Sequence, residues 1–158
     1  MRHHVTSLAI ATAAVGLGLA WTSPDASAAQ GVELQVTDQG PYGDHLTDAK
    51  GMSLYLFEAD SRLDSTCYHA CAKAWPPLLA NGEPTAGRGV DKSMLATFKR
   101  KDGSSQVAYN GQPLYRFVKD KQPGDAKGQG IKGFGAEWYL ISPEGKTVEE
   151  KEHEEKKY

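Results

Sequence analysis

Two places in this 158-residue sequence hold side chains able to do chemistry. The first is Cys67-Tyr68-His69-Ala70-Cys71, in which two sulfurs flank an imidazole. As thiolates they would be soft ligands for copper or zinc, or a redox pair. Haem attachment needs Cys-x-x-Cys-His, which this is not. A metal site would need further ligands, and His45, Met52 and Met94 are the candidates. The second place is a pair of carboxylates, Asp60 and Asp120, each five residues beyond a tyrosine, Tyr55 or Tyr115. Two carboxylates can share general acid and base work, as in a small hydrolase. Asp64 and Asp125 add acids to the same loops and raise calcium, although neither loop has the alternate-residue spacing of a calcium loop.

Each feature also has a plainer reading, and we prefer it. Two cysteines in an exported chain form a disulfide by default. A bridge from Cys67 to Cys71 closes so short a loop that it stabilises by roughly 2 kcal/mol, which pins a turn rather than a domain. Aspartates at strand ends accept backbone N–H groups of the following loop. No Gly-x-Ser-x-Gly elbow is present, and His45, His69 and His153 form no recognisable hydrolytic set. Gly128-Gln129-Gly130 lacks the Lys-Ser/Thr that would close a phosphate loop. The aromatics Tyr55, Tyr115, Trp75, Trp138 and Tyr139 could line a ligand groove, but a domain this small needs large side chains inside. No cofactor is expected.

Export is read from the N-terminus. Arg2-His3-His4 precedes an apolar run from Val5 to Trp21, and Ala26-Ser27-Ala28 offers a cleavage site, so 1–28 reads as a signal peptide. No membrane span is expected in the mature protein, nor a lipid anchor, since no cysteine lies near the site. The net charge is −2, which gives no reason to expect a nucleic-acid partner. We expect a secreted monomer with an envelope or extracellular ligand that the residues do not identify.

The elements that position these groups come in two copies. Gly51-Met52-Ser53-Leu54-Tyr55-Leu56-Phe57-Glu58-Ala59-Asp60 is answered sixty residues later by Gly111-Gln112-Pro113-Leu114-Tyr115-Arg116-Phe117-Val118-Lys119-Asp120. Thr37 and Thr97 match at the same offset, as do Gly43 and Gly103. Tyr55 and Phe57 share one strand face, as do Tyr115 and Phe117. The opposite face changes from Leu56 to Arg116, so it should be buried in at most one copy. Asn110-Gly111 predicts a tight hairpin. Ser65 or Thr66 could cap a short helix across the cysteines.

The twice-repeated Leu-Tyr-x-Phe-x-x-Asp, the Ser-x-Cys-x-x-x-Cys-x-x-x-Trp-Pro-Pro-Leu run and the Pro-Gly-Asp-x-x-Gly-Gln-Gly loop resemble the bacterial secreted-repeat, or lipoprotein-repeat, family. Its Tyr-x-x-x-x-Asp motif falls here on Tyr55 to Asp60 and on Tyr115 to Asp120. The resemblance implies a cell-envelope or extracellular protein without an established activity, and carries a loose association with alkane utilisation.

The expected architecture is mainly β, with two tandem hairpin units related by a pseudo-two-fold axis as a small sandwich or barrel. The domain should span 29–145, with repeats at about 34–80 and 94–143, a linker at 81–93 and a charged tail at 146–158. The role expected is a non-enzymatic binding or structural module. Alternatives are a metal or redox protein using Cys67, His69 and Cys71, and a small hydrolase using Asp60 and Asp120.

Overall fold

Alternating Tyr55 and Phe57 with Leu54 and Leu56 puts large apolar side chains on both faces of one strand. The computed structural model, which describes residues 31–38 and 40–148, buries both faces in separate clusters. The expected leader and residues 149–158 of the expected tail lie outside the described residues. In chain order the elements are β1 (Glu33–Thr37), β2 (His45–Asp48), β3 (Tyr55–Phe57), helix α1 (Ala70–Ala74), β4 (Thr85–Ala86) and a 3₁₀ turn (Lys92–Met94). β5 (Leu95–Lys99), β6 (Ser105–Tyr109), β7 (Gln112–Pro113), β8 (Ile131–Gly133) and β9 (Ala136–Leu140) follow. They form three three-stranded sheets, ordered β2-β1-β4, β3-β9-β8 and β5-β6-β7, with no closed barrel among the described residues. Asn110 (φ 49°) and Gly111 (φ 80°) take the positive φ values that the turn between β6 and β7 demands.

Each repeat opens with a hairpin, β1–β2 or β5–β6, and ends on a closing segment that carries Trp75 or Trp138. These closing segments are exchanged. β9, from the second repeat, pairs with β3 of the first, while Pro77, from the first, bridges to Tyr115 of the second. Leu46 N–H donates to Ile141 O at 2.9 Å, and Val107 N–H donates to Leu78 O at 2.8 Å. Between the two, Tyr55 and Tyr115 exchange both backbone hydrogen bonds at 2.9 Å. A pseudo-two-fold axis passes between them, and neither repeat contains its own closing strand.

The hydrogen bonds also fix which residues are equivalent. Leu54 N–H reaches Leu46 O as Leu114 N–H reaches Val107 O, at 3.0 Å in each case. Leu46 therefore answers Val107, and through the strand registers Val36, not Thr37, answers Thr97. The match of Thr37 with Thr97 in the sequence is off by one residue in space.

The core is built around the axis. Phe57 stacks on Trp138 at 4.1 Å, Trp138 on Trp75 at 4.0 Å, and Trp75 on Phe117 at 4.1 Å. Each repeat's phenylalanine thus lies on the other's tryptophan. Tyr55 meets Trp75 edge-on at 5.3 Å, and Tyr115 meets Trp138 in the same way at 5.1 Å. Burying a large apolar side chain contributes about 2 kcal/mol, with aromatic geometry adding to that. A Cβ on Gly128 would fall 2.7 Å from Trp75 and 2.8 Å from Tyr55, so only glycine lets this loop close over the stack. On the other face Leu34, Leu46, Leu54, Leu78, Leu114 and Ile141 form an aliphatic cluster.

Two expectations, on the second strand face and on the cap of α1, are corrected, and two stretches outside the repeats carry structure. Leu114 is buried as fully as Leu54, so the second strand face is covered in both copies; Arg116 alone departs, reaching an ion pair with Asp48 at 2.7 Å. The stretch 81–93 is more than a linker, because β4 adds to β1 as a parallel strand. Neither Ser65 nor Thr66 caps α1; His69 stands at its N-cap without a side-chain bond. The packed domain extends past 145, with Thr147 bridged to Ile141 and Val148 buried.

Exchange of the closing segments predicts that a single repeat does not fold as a monomer. Fragments 31–90 and 91–148, each produced alone, should lack a cooperative unfolding transition and the near-ultraviolet signal of the stacked tryptophans. Mixing them should restore both. A monomeric 31–90 fragment with native-like cooperativity would contradict the exchange.

Candidate functional site

The motif residues meet at the axis, and they meet crosswise. After each strand the chain turns, with Asp60 N–H bonded to Phe57 O at 3.0 Å and Asp120 N–H bonded to Phe117 O at 3.1 Å. That turn aims each carboxylate at the other repeat. Tyr55 Oη donates to Asp120 Oδ2 at 2.7 Å, and Tyr115 Oη donates to Asp60 Oδ2 at 2.5 Å. The second oxygens take donors from the following loops. Asp60 Oδ1 accepts Thr66 N–H and Oγ1–H, both at 2.8 Å, and Asp120 Oδ1 accepts Lys127 N–H at 3.0 Å. Gly128 N–H donates to Tyr55 Oη at 3.2 Å, and Ser65 Oγ lies 2.7 Å from Tyr115 Oη. Phe57 and Phe117 supply no polar group; their rings form the outer layers of the stack.

Burial controls the protonation here. It pushes both tyrosine hydroxyls far above the ordinary 10, with the facing carboxylates adding to the effect, so both remain donors. Burial also raises the Asp60 carboxyl above 3.8, against hydrogen bonds from Tyr115 and Thr66 that oppose the shift. Asp125 is moved the other way, first by the Lys121 N–H that it accepts. Its carboxylate braces its own loop, while Asp64 sits exposed in the turn with Ser61.

The cysteines are joined as a disulfide, Cys67–Cys71, and both are buried. In that form neither sulfur is a thiolate. His69 is exposed beside them with φ 53°. His45, a possible additional ligand, is buried elsewhere, with Nδ1 at 2.9 Å from Gly43 O and Nε2 at 3.3 Å from the Ser53 hydroxyl. Met94 packs against the aliphatic cluster. Among the described residues no three His, Cys, Asp or Glu side chains converge as a metal-ligand set.

The sequence reading missed Arg100. It is buried, donating to Gln106 Oε1 at 2.5 Å, Cys67 O at 2.7 Å and Ser65 Oγ at 2.9 Å, and its guanidinium lies 4.3 Å from the centre of the Tyr68 ring. One cation of the second repeat thereby fastens the cysteine loop of the first. Gln106, next to Val107 and Ala108 in β6, was the visible sign that a polar partner was needed. Gln129 is a second brace, its side chain joining Leu140 N–H to Val148 O.

Two interlocked β repeats, whose polar motif residues bond one another across the axis, define a tandem-repeat module. The family described as a secreted repeat of unknown function matches residues 36–79 and 96–142, more than half of the chain, and the chain belongs to that family. Comparison with curated proteins and with solved structures gave no match. No helix among the described residues is long and apolar enough to cross a membrane.

The crossed geometry predicts which residues couple. Tyr55→Phe should leave the buried Asp120 oxygen without its donor and cost about 1.5–3 kcal/mol. In double-mutant cycles by chemical denaturation, Tyr55 with Asp120 should couple by at least about 1 kcal/mol, and Tyr55 with Asp60 by less than about 0.5 kcal/mol. Larger coupling within one motif copy than across copies would overturn the crossed assignment.

Asp60 further predicts a pH dependence. Its folded carboxyl binds a proton at higher pH than the unfolded 3.8, so between 3.8 and the folded value stability falls as pH rises. The stability deficit of Asp60→Asn relative to the native protein should therefore be largest near pH 3.8 and shrink towards neutral pH. Asp91, Asp102 and Asp125 are shifted down and act below 3.8, where stability is lost as pH falls. A deficit that grows between mildly acidic and neutral pH would contradict the burial effect on Asp60.

Proposed function

We propose that the protein is an exported, non-enzymatic binding or structural module of the cell envelope or extracellular space. The observation that carries this reading is the mutual occupation of the motif groups. Tyr55 and Asp120 bond each other, Tyr115 and Asp60 do the same, and loop donors take the remaining carboxylate oxygens. A hydrolase would need at least one of these carboxylates turned towards a substrate, and a thiolate metal site would need the disulfide open. Among the described residues, no buried side-chain nitrogen or oxygen lacks a hydrogen-bond partner, as fits a scaffold whose interior is spent on holding itself together. Membership of a family described as secreted supports the compartment.

The test is native mass spectrometry on protein recovered from culture medium without added metal or reductant. The expected species is the chain cleaved after Ala28, less two hydrogens for the disulfide, with no bound metal. Asp60→Asn and Asp120→Asn should lower the melting temperature, and ester or phosphoester substrates should be turned over by neither the native protein nor these variants. Stoichiometric copper or zinc, or hydrolysis abolished by either substitution in a folded protein, would reject the reading.

A further inference from the structure

The two repeats differ at one sheet edge. In the first, β4 covers the outer edge of β1: Thr85 N–H donates to Val32 O, Gly87 N–H to Leu34 O, and Val36 N–H to Arg88 O, all at 2.8 Å. In the second, β5 occupies the equivalent place, and no described strand covers its outer edge. The hydrogen bonds that flank β5 show which groups point outward. Asn110 N–H to Met94 O and Arg100 N–H to Ser104 O make Met94, Ala96, Phe98 and Arg100 the residues bonded to the β6 side. Leu95 N–H turns back to Lys92 O. That leaves Leu95 O, Thr97 N–H, Thr97 O and Lys99 N–H on the open side. Leu95 O and Thr97 N–H are the equivalents of Leu34 O and Val36 N–H, the groups that β4 engages in the first repeat.

We infer that β5 is a docking edge for an extended acidic segment of a partner protein, which adds as a parallel strand in the register that β4 takes on β1. The covered edge specifies the occupant's backbone. A Cβ on Gly87 would lie 2.8 Å from Leu34 O, so the docking strand carries glycine at the equivalent contact. The surroundings specify its charge. Lys92 and Lys99 bracket the edge, both are exposed, and neither is in an ion pair among the described residues. Of the acids nearby, Asp102 is paired with Arg100 and Asp91 accepts the Ser93 N–H and hydroxyl, which leaves Glu83 at one end of the groove against the two lysines. Beside the strand, Glu83, Pro84, Lys92, Leu95, Ala96 and Thr97 line a groove of about 150 Å³ that accepts alternate side chains of the added strand. Backbone pairing then supplies affinity, and the groove and lysines supply selectivity. The inference deepens the binding role proposed above and rests on it. Loss of this edge as a docking site would leave that role to another surface, whereas a metal or hydrolytic result would remove the role itself.

The test is NMR titration of the full mature protein with a synthetic peptide that copies Glu83–Val90 and carries Arg88→Glu. Before addition, the Thr97 and Lys99 amides should exchange with solvent faster than those of Ala96 and Phe98. On addition at millimolar concentration, saturable shifts should be confined to the β5 edge and its groove. Thr97→Pro removes one outward N–H without touching the β6 side, and should abolish the shifts. Should that variant misfold, Lys92→Glu with Lys99→Glu serves instead, and should weaken binding roughly fivefold. Absence of shifts in the folded native protein, or shifts unchanged in either variant, would overturn the inference. Concentration-dependent shifts at β5 without peptide would overturn it in favour of a β5–β5 pair between two copies of the chain.

Discussion

The mutual backbone pairing of Tyr55 and Tyr115 is the constraint on which the rest depends. Two strands can exchange both peptide hydrogen bonds at one residue pair only if they run antiparallel with their side chains on a common face. Once that is so, the rings of Tyr55 and Tyr115, together with Phe57 and Phe117, must share one interior. The tryptophans of the closing segments then have one place to go, between those rings, and reaching it requires each segment to cross the axis. The carboxylates follow. A residue two or three positions beyond a strand that ends at the axis can turn over it, and the hydroxyl it finds there belongs to the other copy.

The polar interior is compatible with burial because it is closed. An isolated carboxylate beside an aromatic stack would be costly, and the shift of the Asp60 carboxyl shows that some of the cost remains. Hydroxyl and amide donors offset most of it, and the charge of nearby Arg100 adds a smaller share at Asp60. Arg100 follows the same logic with the sign reversed, since most of its contacts are to neutral oxygens and to the Tyr68 ring. The disulfide adds a local tether to a loop that these contacts already hold in place.

Much of this was legible in the residues. Five identities in the aligned stretches reveal the duplication, the two-residue period of Tyr55 and Phe57 marks a core face, and Asn110-Gly111 announces its turn. The crossing was not legible. The partner of the Tyr55 hydroxyl lies 65 residues away, and hydrogen bonds of that span leave no trace in local propensity. The motif, written as Tyr-x-x-x-x-Asp, invites the assumption that its two ends act together, whereas each end acts with the opposite copy. Arg100 lies between Lys99 and Lys101, and nothing in that basic run marks it as the buried member. β4 was hidden by its composition, because Thr85 and Ala86 carry too little apolar surface to signal a strand; pairing with β1 makes them one.

The exchanged closing strands bear on how the two halves can change over time. A chain in which each half completes the other has the geometry of a symmetric dimer whose subunits have been joined end to end. After such a fusion the halves are free to drift apart, as the cysteines of one and the glycine-rich loop of the other illustrate. That freedom stops at the axis. The unit there is a contact that spans both halves, so loss of one tyrosine hydroxyl leaves the aspartate of the opposite half without its donor, and neither half carries a complete set of its own constraints.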